Sequence, residues 1–384
     1  MITTVSMSLK NPASHATDAA LADPARVAAA RLREWLLHGP AQLRSGDEAG
    51  GVAGTLDADG TPRYVYAEIT GYYLSWLADV AADESVEALR ERARLALAWS
   101  MRGFGQAGSA PQTRIYLDGS KHDWRNDAIF FFDLAMLLRG VDAVAEASLV
   151  DDPAALRAAL HAHLQQFVDG DVLRAAIQLR GVHPLPARWS TLGGPFLVKA
   201  SSRAALSGRH ARLPDALARA CARDSDTWAP RAADIDLDML HPTLYFAEGL
   251  LLSRPDRADA VAVLLDRCLA LTLADGSLPE TCDAPSAQAG SGDVRVRNDI
   301  IAQALRVALV LRELGANGAP RMEILDRLAA TLLARIGDRD FVIFNADSGA
   351  QANVWCTMFA EQALRWYAGI AGNDARRPSA AALV

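Results

Sequence analysis

An all-α ring, the (α/α)6 toroid, is the fold this sequence predicts, and three observations predict it. Nearly all-apolar helices alternate strictly with amphipathic ones, six of each. The alternation is periodic: from Glu68 through Asp123, Ser190, His241 and Asn298 to Val354 the markers stand 55, 67, 51, 57 and 56 residues apart, the signature of a repeated helical hairpin. Asp-Gly turns and short strand-like runs precede the apolar helices, which places the polar decorations at one end. A helix that is apolar all round needs partners on every side, and a ring of six inner helices shielded by six amphipathic ones supplies them. An open solenoid has the same alternation, but the one-sided decorations favour closure.

The elements follow in order. Pro24 to His38 is amphipathic and ends at Gly39-Pro40, a proline at the start and a Gly-Pro stop marking its bounds. After a Gly- and Asp-rich loop, Tyr64 to Leu77 is the first inner helix, and Glu84 to Arg102 its outer partner. Thr113 to Leu117 has the β-branched and aromatic character of a short strand, and His122 to Leu138 is the second inner helix. Inner helices at Trp189–Leu206, Leu240–Leu252, Arg297–Leu311 and Val354–Trp366 alternate with amphipathic segments at Pro153–Val168, Pro214–Arg223, Pro255–Leu273 and Pro320–Ile336, with a short strand at Asp340–Phe344. The toroid thus occupies 24–370 as one domain, between tails at 1–23 and 371–384. The one long interval holds an insertion, 171–188, longer than a connection needs and suited to a lid over the ring's mouth.

Composition narrows the partners. With 384 residues, 51% hydrophobic and 22% charged, the chain can bury a sizeable core. A net charge of −7 gives no general attraction to nucleic acid or anionic membranes. Cys221, Cys268, Cys282 and Cys356 are scattered, without disulfide-framework or zinc-module spacing, so reduced thiols, no metal and no cofactor are expected. Lacking a secretory core or a span of about 20 apolar residues, the protein is expected to be soluble and cytoplasmic; its oligomeric state is not set by the sequence.

Polar residues at the heads of the apolar helices are the site candidates. Arg125-Asn126-Asp127 and Arg297-Asn298-Asp299 stand 172 residues apart on the second and fifth inner helices, which face each other across a ring of six. Inner axes ~20 Å apart and side chains reaching inward leave roughly 8 Å between Asp127 and Asp299, within the ~6.5–9.5 Å that an acid and a base flanking a glycosidic bond require. Capping accounts for Asp and Asn at a helix start; it does not account for an arginine beside both. The first and fourth inner helices bring Glu68 and Tyr72 opposite His241 and Tyr245, with His241 the natural proton carrier. His122, Asp123 and Asp238 belong to the same rim. Trp124, Trp189 and Trp355 at the mouth suit stacking on sugar faces. Asp133, Lys199, Glu248 and Glu361 interrupt greasy runs, and as buried charges they are expected to form internal ion pairs.

The strings Glu68-Ile-Thr-Gly-Tyr72, Ala302-Gln-Ala-Leu-Arg306 and Trp355-Cys-Thr-Met-Phe-Ala-Glu-Gln-Ala-Leu364 resemble those of bacterial toroid proteins linked to polysaccharide biosynthesis. The chain from about 25 to 370 likewise resembles the six-hairpin toroids of glycoside hydrolases, polysaccharide lyases and N-acylglucosamine 2-epimerase-like proteins. The resemblance implies carbohydrate chemistry and a carbohydrate partner. A hydrolase would use Asp127 with Asp299, and Glu68 in reserve. A lyase would use Tyr72, Tyr245 or His241 as base, with Arg297 or Asn298 on the substrate carboxylate; an epimerase would use His122 or His241. Outside enzymology stands a glycan-binding or scaffold protein. Isoprenoid-type cyclases also use α-toroids, and Asp234-Ile-Asp-Leu-Asp238 is loosely similar to their acidic motif. A zinc-dependent cyclase could draw on Cys282, Cys356 and His241, but lacks its family's Cys-His-Gly string here.

Overall fold

The computed structural model describes residues 12–106, 108, 111–117, 123–179, 181, 183–206, 213–282, 294–372 and 377–384. Its helices are α1 (Pro12–His38), α2 (Ala67–Asp79), α3 (Val86–Phe104), α4 (Phe131–Glu146), α5 (Ala154–Gln165), α6 (Leu197–Ser201), α7 (Arg203–Leu206), α8 (Asp215–Trp228), α9 (Leu240–Ser253), α10 (Ala258–Leu269), α11 (Asn298–Glu313), α12 (Met322–Ile336) and α13 (Val354–Ala371). The inner helices α2, α4, α6, α9, α11 and α13 each pack on the next, and α13 returns to α2, closing a ring of six. Around it stand α1, α3, α5, α8, α10 and α12. This is the (α/α)6 toroid. Burial matches the pattern read from sequence: in α2 every residue from Ala67 to Leu77 is buried, whereas α8 buries only Leu217, Ala220 and Cys221. No helix among the described residues is long and apolar enough to cross a membrane.

Every short strand serves the start of an inner helix or the insertion. β1 (Thr55–Leu56) pairs antiparallel with β8 (Ala352–Asn353), β2 (Tyr64–Tyr66) with β3 (Arg114–Tyr116), β4 (Ala128–Phe130) with β7 (Ala176–Gln178), and β5 (Val168–Asp169) with β6 (Val172–Leu173). Single bridges Met239↔Thr281 and Pro279↔Val296 do the same for α9 and α11. The residue before each of α2, α4, α9, α11 and α13 is accordingly extended, at Tyr66, Phe130, Met239, Arg297 and Asn353.

Four local expectations differ. The run from His122 does not begin a helix, because Ala128-Ile-Phe130 is recruited into β4 by residues from the insertion; α4 starts at Phe131. Tyr64–Tyr66 likewise becomes β2 rather than the first turn of α2. The third inner helix is not continuous over 189–206. Gly193-Gly194-Pro195 cannot hold a helix interior, so α6 begins at Leu197, and Ser202 (ψ 142°) breaks it from α7, whose Ala205 N–H its Oγ accepts at 3.1 Å. Asp340–Phe344 makes one bridge, Ile343↔Ala352, instead of a strand. At the termini, α1 reaches back to Pro12, and Leu383 and Val384 are buried.

The inner ring is tight enough that side chains must be absent where helices cross. A Cβ on Gly71 of α2 would stand 2.3 Å from the Met136 carbonyl oxygen of α4, and one on Gly140 would stand 2.2 Å from the Gly71 oxygen. Gly249 of α9 meets Lys199 of α6 in the same way, at 2.3 Å from its nitrogen. Gly71→Ala therefore sets a helix-propensity gain of ~1 kcal/mol against overpacking of ~1–3 kcal/mol with rigid backbone on the other side, and the clash wins. Denaturant titration is expected to show Gly71→Ala less stable than wild type, while Gly103→Ala on α3, where nothing lies within 4 Å, is neutral or stabilising.

Candidate active site

Because five of the six inner helices start from a pinned, extended residue, with α6 starting from the helical Phe196, their first turns open together onto one cavity of about 350 Å3. Its floor carries Glu68 from the first turn of α2 and Asp133 from the first turn of α4. The Tyr66 hydroxyl lies 3.0 Å from Asp133 Oδ1 and is also bonded to Glu68. A hydroxyl with one proton can serve both groups as donor and acceptor only if one carboxyl is itself protonated. Burial, and next the charge of Glu68, push Asp133 up to about 8. Burial also raises Glu68, opposed by hydrogen bonds from Tyr66 and Tyr245; the Tyr245 hydroxyl crosses the ring to Glu68 Oε1 at 3.2 Å.

The opposite wall is organised by Asp299 in the first turn of α11. Its carboxylate accepts two bonds from Arg297, Nε to Oδ1 at 3.1 Å and Nη2 to Oδ2 at 2.6 Å, and one from Trp355 Nε1 at 3.2 Å. His241 Nδ1 lies 3.2 Å from Asp299 Oδ2 and 2.8 Å from Gln303 Oε1. Burial is the largest single influence and opposes ionisation of Asp299, but the Arg297 charge, His241 and the hydrogen bonds from Arg297 and Trp355 together outweigh it and hold the carboxyl below its usual range. Burial, reinforced by Arg297, drives His241 down to about 3 despite Asp299, so the imidazole is neutral. Both Nδ1 partners are acceptors, which assigns the ring proton to Nδ1 and leaves Nε2 as the unprotonated nitrogen.

The sequence candidates fall into groups. Glu68, Trp124, Arg125, Trp189, His241, Tyr245, Arg297 and Trp355 line the cavity. Asp299 lies immediately behind it, fully buried. Tyr72 is one turn deeper, packed edge-on against Phe359 at 5.4 Å. Asp123 is engaged by Arg125 at 2.8 Å, and Asn126 accepts the Asp123 N–H at 3.0 Å. Asn298 holds the 343 carbonyl at 2.8 Å, and Asp238 is exposed on a turn. His122 lies outside the described residues. The two Arg-Asn-Asp triplets are not equivalent. The second heads α11, whereas the first sits in a turn before β4, where Asp127 Oδ2 accepts the His183 N–H at 3.0 Å and contacts His183 Nδ1 at 2.6 Å. Asp127 is buried under the insertion and is not among the described residues lining the cavity. Among the described residues no three His, Cys, Asp or Glu side chains gather as a metal site.

Sequence reasoning missed Tyr66, Arg114, Asp133 and Arg188, all of which line the cavity. Asp133 was expected deep in an ion pair. It reaches the mouth because α4 starts nine residues later than the run from His122 suggests. The other three interrupting charges do pair below the cavity. Lys199 Nζ donates to Glu248 Oε2 at 2.7 Å, Arg306 pairs with the same carboxylate, and Glu361 takes Arg33 at 3.1 Å and Arg365 at 2.9 Å. Lys199 and Arg306 also donate to the Val384 oxygen, at 2.9 and 3.0 Å, so the 380–384 segment stops the far end of the ring.

No protein-family profile and no curated protein matches the sequence, but solved structures match the fold. The cellobiose 2-epimerase of Spirochaeta thermophila superposes with a TM-score of 0.62 at 14% identity, over 90% of this chain and 98% of that one. A D-mannose isomerase gives 0.62 at 12% identity over 89% and 97%, and the unsaturated glucuronyl hydrolase of Streptococcus agalactiae gives 0.58 at 9% over 95% and 98%. The chain therefore shares the (α/α)6 toroid fold of these structures along nearly their full length.

The elevated Asp133 carboxyl has a stability consequence. Its folded pKa is raised, so its contribution is complete below the ordinary aspartate range near 4 and is lost as pH rises through about 8. Asp133→Asn removes that loss: its melting temperature should gain on wild type between pH 5 and pH 9 in thermal unfolding, and a constant difference across that range would contradict a buried neutral carboxyl.

Proposed function

We propose that this protein is a carbohydrate-active enzyme performing acid/base chemistry in the toroid cavity, in the manner of a glycoside hydrolase, with Asp133 as proton donor and Glu68 as its carboxylate partner. The observation that carries the reading is the Tyr66 hydroxyl bridging two buried carboxyls that line one cavity. Glycoside hydrolysis needs one carboxyl kept protonated near neutrality to protonate the leaving oxygen, and a second kept ionised as base or nucleophile. Burial, and next the like charge of Glu68, supply the first at Asp133; at Glu68 burial also raises the carboxyl, and the Tyr66 and Tyr245 hydroxyls oppose it in favour of the ionised form. Aromatic walls, including Trp189 and Trp355, suit sugar faces. That structures of this fold include a hydrolase of glucuronyl groups supports the reading. In it Asp299 orients His241 and Arg297 rather than attacking the bond, and Asp127 anchors the insertion.

Sugar epimerisation is the second reading. It rests on His241, a neutral imidazole at the cavity whose Nδ1 is engaged by Gln303 and Asp299, and on the epimerases of the same fold. There His241 would abstract the proton and Asp133 return one.

Turnover of aryl glycosides and oligosaccharides separates the two. Glu68→Gln and Asp133→Asn are each expected to lower kcat by at least ~100-fold with folding retained, whereas Asp127→Asn should lose far less. Wild-type activity should fall as pH rises through about 8, where Asp133 gives up its proton. Full activity in both carboxyl variants would remove the hydrolase reading. Incorporation of solvent deuterium without cleavage, abolished in His241→Asn, would replace it by the epimerase.

A further inference from the structure

The rim of the cavity gathers arginines. Arg125 stacks on the Trp124 ring at 4.3 Å and Arg188 approaches the same ring at 5.5 Å. Arg114 lies over Tyr66 at 4.3 Å and over Tyr64 at 4.7 Å. Arg297 completes the group. Two of them are neutralised: Arg125 by Asp123 at 2.8 Å, and Arg297 by Asp299 at 2.6 Å. Arg188 is different. Among the described residues no carboxylate pairs with its guanidinium, and its Nε is buried without a hydrogen-bond partner. Burial, and then the like charges of Arg125, Arg114 and Arg297, disfavour its ionised form.

A protein of net charge −7 has carboxylates to spare for such a cluster, yet among the described residues Glu280 only weakly offsets the like charges on Arg188 and does not pair with it. Packing alone would be served by a neutral side chain on Trp124, since a half-buried cation among cations is unfavourable without a counter-ion. The stacked guanidiniums also cover Trp124, so that residue presents hydrogen-bond donors where its bare ring would have presented a sugar platform. Arginine forks are matched to carboxylate and phosphate oxygens. The two floor carboxyls, meanwhile, lie where the bond to be broken would sit. The rim and the floor therefore address different parts of one ligand.

Resting on the carbohydrate reading above, we infer that the sugar bound here carries an anionic substituent, held at the rim by Arg188 with Arg125 and Arg114 beside it. Arg188 belongs to the end of the insertion, so this segment contributes specificity to a ring that would otherwise present a neutral-sugar site.

Calorimetric titration with glucuronate and galacturonate against glucose and galactose tests this, with glucose 6-phosphate as a further probe separating carboxylate from phosphate preference. At least one acidic sugar is expected to bind tenfold or more tighter than its neutral counterpart, with affinity falling as salt is raised. Arg188→Gln should erase most of that preference and leave the neutral sugars unchanged, and Arg188→Lys should restore part of it. Equal binding of acidic and neutral sugars would overturn the anion site while sparing the carbohydrate reading. An Arg188→Gln variant that weakens both alike would show that the residue only packs on Trp124, and would also overturn it. Failure of all these probes to bind would remove the carbohydrate reading together with this inference.

Discussion

The structure depends on how its inner helices begin. Five of the six leave an extended segment at the same end of the ring, and short antiparallel pairs enforce this: β2 with β3 before α2, β4 with β7 before α4, β1 with β8 before α13, and single bridges before α9 and α11. The pairs satisfy backbone groups that a buried loop would leave open, and they fix which residue becomes the first of the helix. Glu68, Asp133 and Asp299 consequently share one depth, in the first turns of three helices. Amide dipoles at those ends favour the carboxylate form. Burial opposes it, and the balance differs at each site according to the neighbouring charge.

Two polar levels result, and they differ in how charge is compensated. At the base of the ring Lys199, Glu248 and Arg306 form a fully buried charge network, and Glu361 pairs separately with Arg33 and Arg365 in a largely buried one. Breaking such a set leaves an uncompensated buried ion, so these residues are expected to be structural. At the mouth the compensation is incomplete by design of the same helices: Asp133 has a carboxylate rather than a cation as its nearest charged neighbour, and Arg188 faces other arginines. Perturbed groups concentrated in a cavity, next to charge-paired groups a few turns below, are the pattern of a site.

Much of this was legible in the chain. The alternation of greasy and two-sided segments sufficed for the toroid, and the head-of-helix residues Glu68, His241, Tyr245, Arg297 and Trp355 do line the cavity. The symmetry between the two Arg-Asn-Asp triplets did not survive. Residues 128–130 read as helix by composition, and only their pairing with 176–178 makes them a strand, which leaves Asp127 beneath the insertion and brings Asp133 into the cavity. Arg188 was hidden for a related reason: it sits in an insertion without periodicity, and nothing local announces that such a segment folds over Trp124.

The sequence by itself determined the ring, its direction and the set of charges that had to be buried, because helical periodicity and hydrophobic burial are properties of short stretches repeated along the chain. Tertiary structure decided the starting residue of each inner helix and therefore which carboxyls meet. A shift of a few residues in a helix start turns side chains around the axis and along it, and that shift is set by backbone partners distant in sequence. The raised Asp133 carboxyl follows from its burial and then from the proximity of Glu68, neither of which a local pattern contains.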